Sequence, residues 1–152
     1  MPISAKDVQA IREETGLGVM DIRNALEEAG GDKAKALEIL KSKAGEKMAK
    51  RADRATGQGK IGAYTHTDGK SATLVEVNCE TDFVAKNEDF QNFVKDLTLQ
   101  IISMKPADVE ELLAQDFIKD SGKKVADLLK ELIAKTGENI VVKRFVVYQV
   151  GE

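Results

Sequence analysis

Near the middle of the chain the hydrophobic period passes directly from that of a strand to that of a helix, and that change constrains the fold more than any other feature. Leu74, Glu76 and Asn78 fall on one face of an extended segment and Thr73, Val75, Val77 and Cys79 on the other, the period of two of a strand. From Val84 onward Val84, Phe90, Phe93, Val94, Leu97 and Ile101 recur at spacings of three and four or their sums, which predicts a helix with one stripe facing a core. Thr81, Asp82 and Phe83 therefore occupy a strand-to-helix junction, where Asp or Thr can cap the new helix by accepting a bond from its free amides. A junction is exposed by geometry, so the ring of Phe83 has two readings. In one it folds back into the core and Asp82 is a plain N-cap contributing about 1 kcal/mol. In the other the ring anchors an interface by wedging into a partner's pocket, and the carboxylate arrives beside a charge. The pattern alone leaves both open.

On the N-terminal side, residues 4–44 read as three short helices. Ser4 with Asp7 resembles a capping pair, Val8 and Ile11 give an apolar face, and Gly16-Leu17-Gly18 breaks the helix. A second helix over 19–29 buries Ile22, Ala25, Leu26 and Ala29 and stops at Gly30-Gly31; Asp32 caps a third with Ala36, Leu37, Leu40 and Ala44 inward. The result resembles the three-helix bundle of ubiquitin-associated domains. Residues 42–59 are rich in Lys, Arg, Ala and Gly and read as a solvated, partly helical linker. Its basic cluster, Lys47, Lys50, Arg51 and Arg54, is interrupted by Glu46 and Asp53, which favours a solvated helix face over a phosphate-binding strip.

Beyond the linker the order is strand, turn, strand, helices, strand. Strands over 60–67 and 72–79, the first carrying His66, are joined by Asp68-Gly69, a hairpin signal. Pro106 is expected to start a helix over 107–114, and Ser121 to cap another carrying Val125, Leu128, Leu129, Leu132 and Ile133 on one side. Residues 140–150 form a β-branched and aromatic run suited to a closing strand. The expected fold is α+β: a three-helix ubiquitin-associated-like bundle at 1–45, a basic linker at 46–59, and at 60–152 a small antiparallel sheet covered by helices.

The composition removes several function classes. With 152 residues, 42% hydrophobic and 32% charged, the chain has a globular balance, and a net charge of −3 gives no general attraction to nucleic acid. No apolar run approaches the roughly 20 residues that cross a bilayer, and the N-terminus lacks a secretory pattern, so the expected location is the cytoplasm. The one cysteine, Cys79, excludes an internal disulfide and reads as a small buried hydrophobe. One histidine and no motif around it leave nucleophilic catalysis, metals and cofactors without support. The acidic neighbours Glu27-Glu28 and Glu110-Glu111 point apart on helices. Gly57-Gln58-Gly59-Lys60-Ile61-Gly62 has the spacing of a dinucleotide loop, but it opens a strand where that loop must open a helix, so the match reads as accidental.

The string EVNCETDFVAKNEDFQNF at 76–93 resembles the signature of bacterial elongation factor Ts, the guanine-nucleotide exchange factor for elongation factor Tu. TGLGVMDIRNALEEAGGDKAKALEIL at 15–40 is similar to that family's N-terminal domain, and KTGENIVVKRFVVYQV at 135–150 to its closing strand. The resemblance implies that Thr81, Asp82, Phe83 and Val84 act on the partner, with Phe83 wedging between its helices and Asp82 disturbing its magnesium site. It also implies that Leu17, Gly18, Val19 and Met20 form an N-terminal contact patch; without it, those side chains would serve equally to complete the bundle core. The implied partner is elongation factor Tu, both GDP-bound and nucleotide-free, with no cofactor and no direct nucleic acid. One departure stands out: family members carry a longer segment, often a second copy of the core half, where this chain has only residues 105–136. Short forms of the family can pair into dimers, so a homodimer is open here. The competing readings are a non-catalytic protein-interaction adaptor and an RNA or ribosome accessory protein using the basic linker.

Overall fold

The computed structural model describes residues 2–152, which divide into two compact units between Ala52 and Asp53. The first unit holds α1 (Ala5–Thr15), α2 (Val19–Glu28) and α3 (Lys33–Arg51). Its helix ends follow from local chemistry. Ser4 Oγ accepts from the Asp7 amide at 3.1 Å and donates to the Asp7 carboxylate at 2.8 Å, so the predicted capping pair forms. Asp32 caps α3 by accepting from the Lys35 amide. Between α2 and α3, Gly30 and Gly31 both take positive φ, a left-handed turn that other residues adopt only at a cost. Ile11, Ile22, Ala25, Leu26, Ala36 and Leu40 are sealed in the centre, with Val8, Leu17, Ala29 and Leu37 packed at its edge. Helix α3 does not stop near residue 45 but continues to Arg51, through the first part of the stretch read as linker.

The second unit is built on a three-stranded antiparallel sheet ordered β1 (Gln58–Thr65), β2 (Ser71–Cys79), β5 (Val141–Gln149). Strand β2 is central, and its Thr73, Val75, Val77 and Cys79 are buried as the alternation predicts. Gly69 takes the left-handed conformation in the predicted hairpin turn. His66 lies just past the end of β1 and is exposed, so it is a turn residue and not the strand residue expected. The glycine-rich match at 57–62 runs into β1 and opens no helix.

Three helical expectations are corrected. The helix expected from Val84 onward is two helices, α4 (Asp82–Ala85) and α5 (Glu88–Met104), because the Asn87 side chain accepts from the amides of Asp89 and Phe90 and starts a new helix there. Helix α6 (Val109–Ala114) is capped by Asp108, two residues beyond Pro106. Ser121 caps nothing: it lies in β4 (Asp120–Lys124), which pairs with β3 (Asp116–Phe117), and α7 (Val125–Thr136) starts after it with the Asp127 carboxylate accepting from the Lys124 amide. Buried Gln100 holds the β3–β4 connection to α5, its amide donating to the Asp116 carbonyl and its oxygen accepting from the Ile118 amide. Thus the fold is α+β as expected, with helices on one face of the sheet.

Helix α5 crosses the sheet so closely at Gly62 that an added Cβ would lie 2.5 Å from Val94 Cγ1 and 3.1 Å from Thr98 Cγ2. Both neighbours are buried and have little room to move. Gly62→Ala is expected to destabilise the protein by about 1–3 kcal/mol. Gly45→Ala, inside α3 with nothing within 4 Å of the new Cβ, is expected to stabilise it by about 0.5–1 kcal/mol. Thermal unfolding of the two variants should shift in opposite directions.

Candidate partner-binding site

The end of β2 is held by a carboxylate from far along the chain. Glu138 Oε1 accepts from the amides of Glu80 at 3.1 Å and Thr81 at 3.0 Å, and Glu138 Oε2 accepts from the Thr81 hydroxyl at 2.6 Å. Thr81 Oγ1 in turn accepts from the Val84 amide at 3.3 Å, which caps α4. The cap is therefore Thr81, and Asp82 is the first residue of the helix rather than the N-cap that the core reading required. Cys79, fully buried beneath, donates to the Thr81 carbonyl at 3.2 Å, and burial pushes its thiol pKa up, so it is a packed hydrophobe with little thiolate character.

Helix α4 has only four residues, and its two sides differ. Ala85 is buried and Val84 half-buried, while Phe83 is 89% exposed. The core reading of Phe83 is thereby excluded. Asp82 also faces solvent and pairs with Lys86 at 2.7 Å, a hydrogen bond that raises the Lys86 pKa. Both partners are exposed, so the pair is weak and its carboxylate can change partners at little cost.

Two further contacts complete the surround. Asn139 donates to the Arg54 carbonyl at 3.0 Å, and Arg54 Nε lies 3.7 Å from the Glu80 carboxylate. Arg54 of the basic cluster is thus engaged with an acid, as is Lys47 with Asp21 at 3.6 Å. Among the described residues no group of acidic, histidine or cysteine side chains is arranged to hold a metal ion, and no helix is long and apolar enough to cross a membrane.

In the first unit, the four residues singled out at the glycine turn differ in placement. Leu17 packs against the bundle core and Gly18 precedes α2 as its N-cap. Val19 and Met20 are exposed, 42% and 65%, and Val19 lines a surface groove with Ile3, Val8 and Arg12. Glu138 is the residue that sequence reasoning missed. It follows Gly137, the left-handed residue that ends α7, so no helical or strand period includes it; the only signal was an acid placed directly after a helix-stopping glycine.

Comparison with known proteins decides the family. The sequence model described as Elongation factor TS matches residues 80–152, beginning at the junction itself. An elongation factor Ts from Clostridium kluyveri is 48% identical over 143 residues, 94% of this chain and 47% of its own length. One from Moorella thermoacetica is 41% identical over 195 aligned positions that take in 99% of this chain and 96% of the relative. This chain belongs to the elongation factor Ts family. A Leptospira biflexa elongation factor Ts agrees, at 40% identity with 99% of both chains covered. The chain spans about half the length of the Clostridium relative. The Moorella and Leptospira alignments are longer than this chain's 152 residues, so those elongation factors Ts carry stretches without counterpart in this chain.

The exposure of Phe83 and the bonds of Thr81 predict stability effects of different size. Phe83→Ala should change unfolding free energy by less than about 0.5 kcal/mol, whereas Thr81→Ala, which removes the cap, should cost about 1–2 kcal/mol. Urea unfolding followed by circular dichroism checks both.

Proposed function

We propose that this chain is a guanine-nucleotide exchange factor that binds elongation factor Tu and promotes GDP release, acting in the cytoplasm by binding alone with no covalent chemistry. The observation that carries the reading is the 89% exposure of Phe83 on a turn whose backbone is pinned on its other side. A ring left in water at a fixed position is suited to entering a pocket in another protein, because little ordering cost remains to be met on docking.

In this reading Phe83 wedges between helices of the GTPase, and Asp82 exchanges Lys86 for positive charge near the magnesium ion. Magnesium neutralises the phosphate oxygens of bound GDP, so disturbing it or its ligands loosens the nucleotide. Thr81 and Val84 set the turn from within. Val19 and Met20, with Leu17 and Gly18 behind them, supply a second contact. Linkage makes the coupling reciprocal: whatever ratio the factor takes from GDP affinity, GDP takes from the affinity of the factor. Incoming GTP then expels it.

The outer face of the sheet supports a homodimer within the same reading. Ile61, Leu74, Val146 and Tyr148 stand exposed on it, and a groove lined by the first three is bounded by the Glu76–Arg144 pair at 2.9 Å. The Arg144 hydrogen bond holds the Glu76 carboxyl below its usual pKa. An apolar sheet face of this kind is stable in water when it meets another. Leu74→Lys should convert a dimer into a monomer in analytical ultracentrifugation; a wild-type monomer at all concentrations would contradict the pairing.

The exchange reading is tested by release of a fluorescent GDP analogue from purified elongation factor Tu. Catalytic amounts of the chain should accelerate release, and Phe83→Ala should lower that acceleration by about tenfold, equivalent to about 1.4 kcal/mol. Tight binding without acceleration would make the protein an adaptor instead. RNA binding that falls steeply with salt would favour the accessory-protein reading.

A further inference from the structure

We propose that Glu138 is a positioning residue for exchange: its carboxylate fixes the backbone turn that presents Asp82 and Phe83, so it sets how fast GDP leaves a bound partner. The inference rests on the exchange reading above and adds to it a residue 55 positions from Phe83 in sequence.

Phe83 packs on almost nothing, so side-chain packing cannot decide where its ring points. The direction is set by the backbone of residues 81–85. A helix of four residues has no stability of its own, since nucleating the first turn is unfavourable. Two things hold it. On the core side Ala85 is buried. At its start, one oxygen of Glu138 receives two successive amides and the other receives the Thr81 hydroxyl. The hydroxyl, having donated to a carboxylate, is a better acceptor for the Val84 amide, so the bonds reinforce one another along the line Glu138, Thr81, Val84.

Glu138 itself is fixed from both sides. Gly137 ends α7 in a left-handed turn, and β5 begins at Val141, so the carboxylate is carried on the short connection between a packed helix and a paired strand. Its own backbone amide donates to Thr136 Oγ1 at 3.3 Å, and neighbouring Asn139 is tied to the Arg54 carbonyl. The closing segment of the chain thereby holds the part that meets the partner, although Glu138 does not have to touch that partner.

The test uses the full chain with purified elongation factor Tu and a fluorescent GDP analogue, titrating the factor to saturation. Glu138→Ala is expected to lower the plateau rate about tenfold while the half-saturating concentration stays within about threefold of wild type. A variant that merely folds less well would do the reverse, reaching the wild-type plateau at higher total concentration, and that result would overturn the proposal. Glu138→Gln keeps a carbonyl oxygen for both amides, so it should recover most of the plateau; Gln and Ala variants with equal plateaus would contradict the clamp. In a background carrying both Asp82→Ala and Phe83→Ala, Glu138→Ala should add little, because it acts through those two side chains. Multiplying effects would show that Glu138 works by another route. If the wild-type chain itself fails to accelerate release, the exchange reading fails; if it accelerates and Glu138→Ala reaches the same plateau rate as wild type, this inference alone fails.

Discussion

Three hydrogen bonds to one carboxylate, from the amides of Glu80 and Thr81 and the hydroxyl of Thr81, determine what the rest of the second unit presents. The end of a central strand is an unfavourable place to begin a helix of four residues. Its first amides need acceptors, and the strand has just run out of ladder partners. Glu138, from outside both elements, accepts from the two amides that lead into the helix, and Thr81, whose hydroxyl it also holds, accepts from the Val84 amide within the first turn. Bonds to a charged acceptor contribute about 1.5–3 kcal/mol each, enough to fix a turn that helix propensity cannot.

With the backbone fixed in this way, the side chains divide by direction. Cys79 and Ala85 face the core, where Phe90, Val94 and Leu97 of α5 fill the space over the sheet. Phe83 faces away. Burying a Phe side chain would contribute about 1.5–3 kcal/mol, which this position forgoes. The chain tolerates that loss because the core under α5 is complete without it, and the ring is left 89% exposed. The exposed Asp82–Lys86 pair beside it adds a carboxylate whose present partner is held only weakly. The turn thus carries an exposed apolar ring and a weakly paired acid side by side, and it is on this pair that the proposed exchange function rests.

Much of this was legible in sequence where burial or a cap in step with the pattern decides the outcome. The alternation from Thr73 to Cys79 gave the central strand and its inner face, Ser4 and Asp32 gave two helix starts, and Gly30-Gly31 gave a stop. The errors came where a side chain bonds to backbone against the trend of the pattern. Asn87 stops the apolar stripe that joins Val84 to Phe90 by capping a new helix, so one expected helix is two. Asp116 to Lys124 folds as a hairpin because buried Gln100 provides its bonds, and no periodicity in that polar stretch could announce it. Phe83 could not be placed by pattern: seven residues before Phe90, it has a spacing that would put it on the stripe of a continuous helix, and the resemblance alone favoured exposure. Glu138 was invisible for a related reason, since its role depends on a contact 57 residues away in sequence that only the folded sheet creates.

The most direct measurement places a reporter on the turn itself. The chain has no tryptophan, so Phe83→Trp made with fluorotryptophan gives a single fluorine signal even in the presence of a partner with tryptophans of its own. The account predicts a solvent-exposed signal in the free protein that moves to a buried one when nucleotide-free elongation factor Tu is added and returns on addition of GDP or GTP. A signal already buried in the free chain, or one that stays in solvent in the complex, would contradict it.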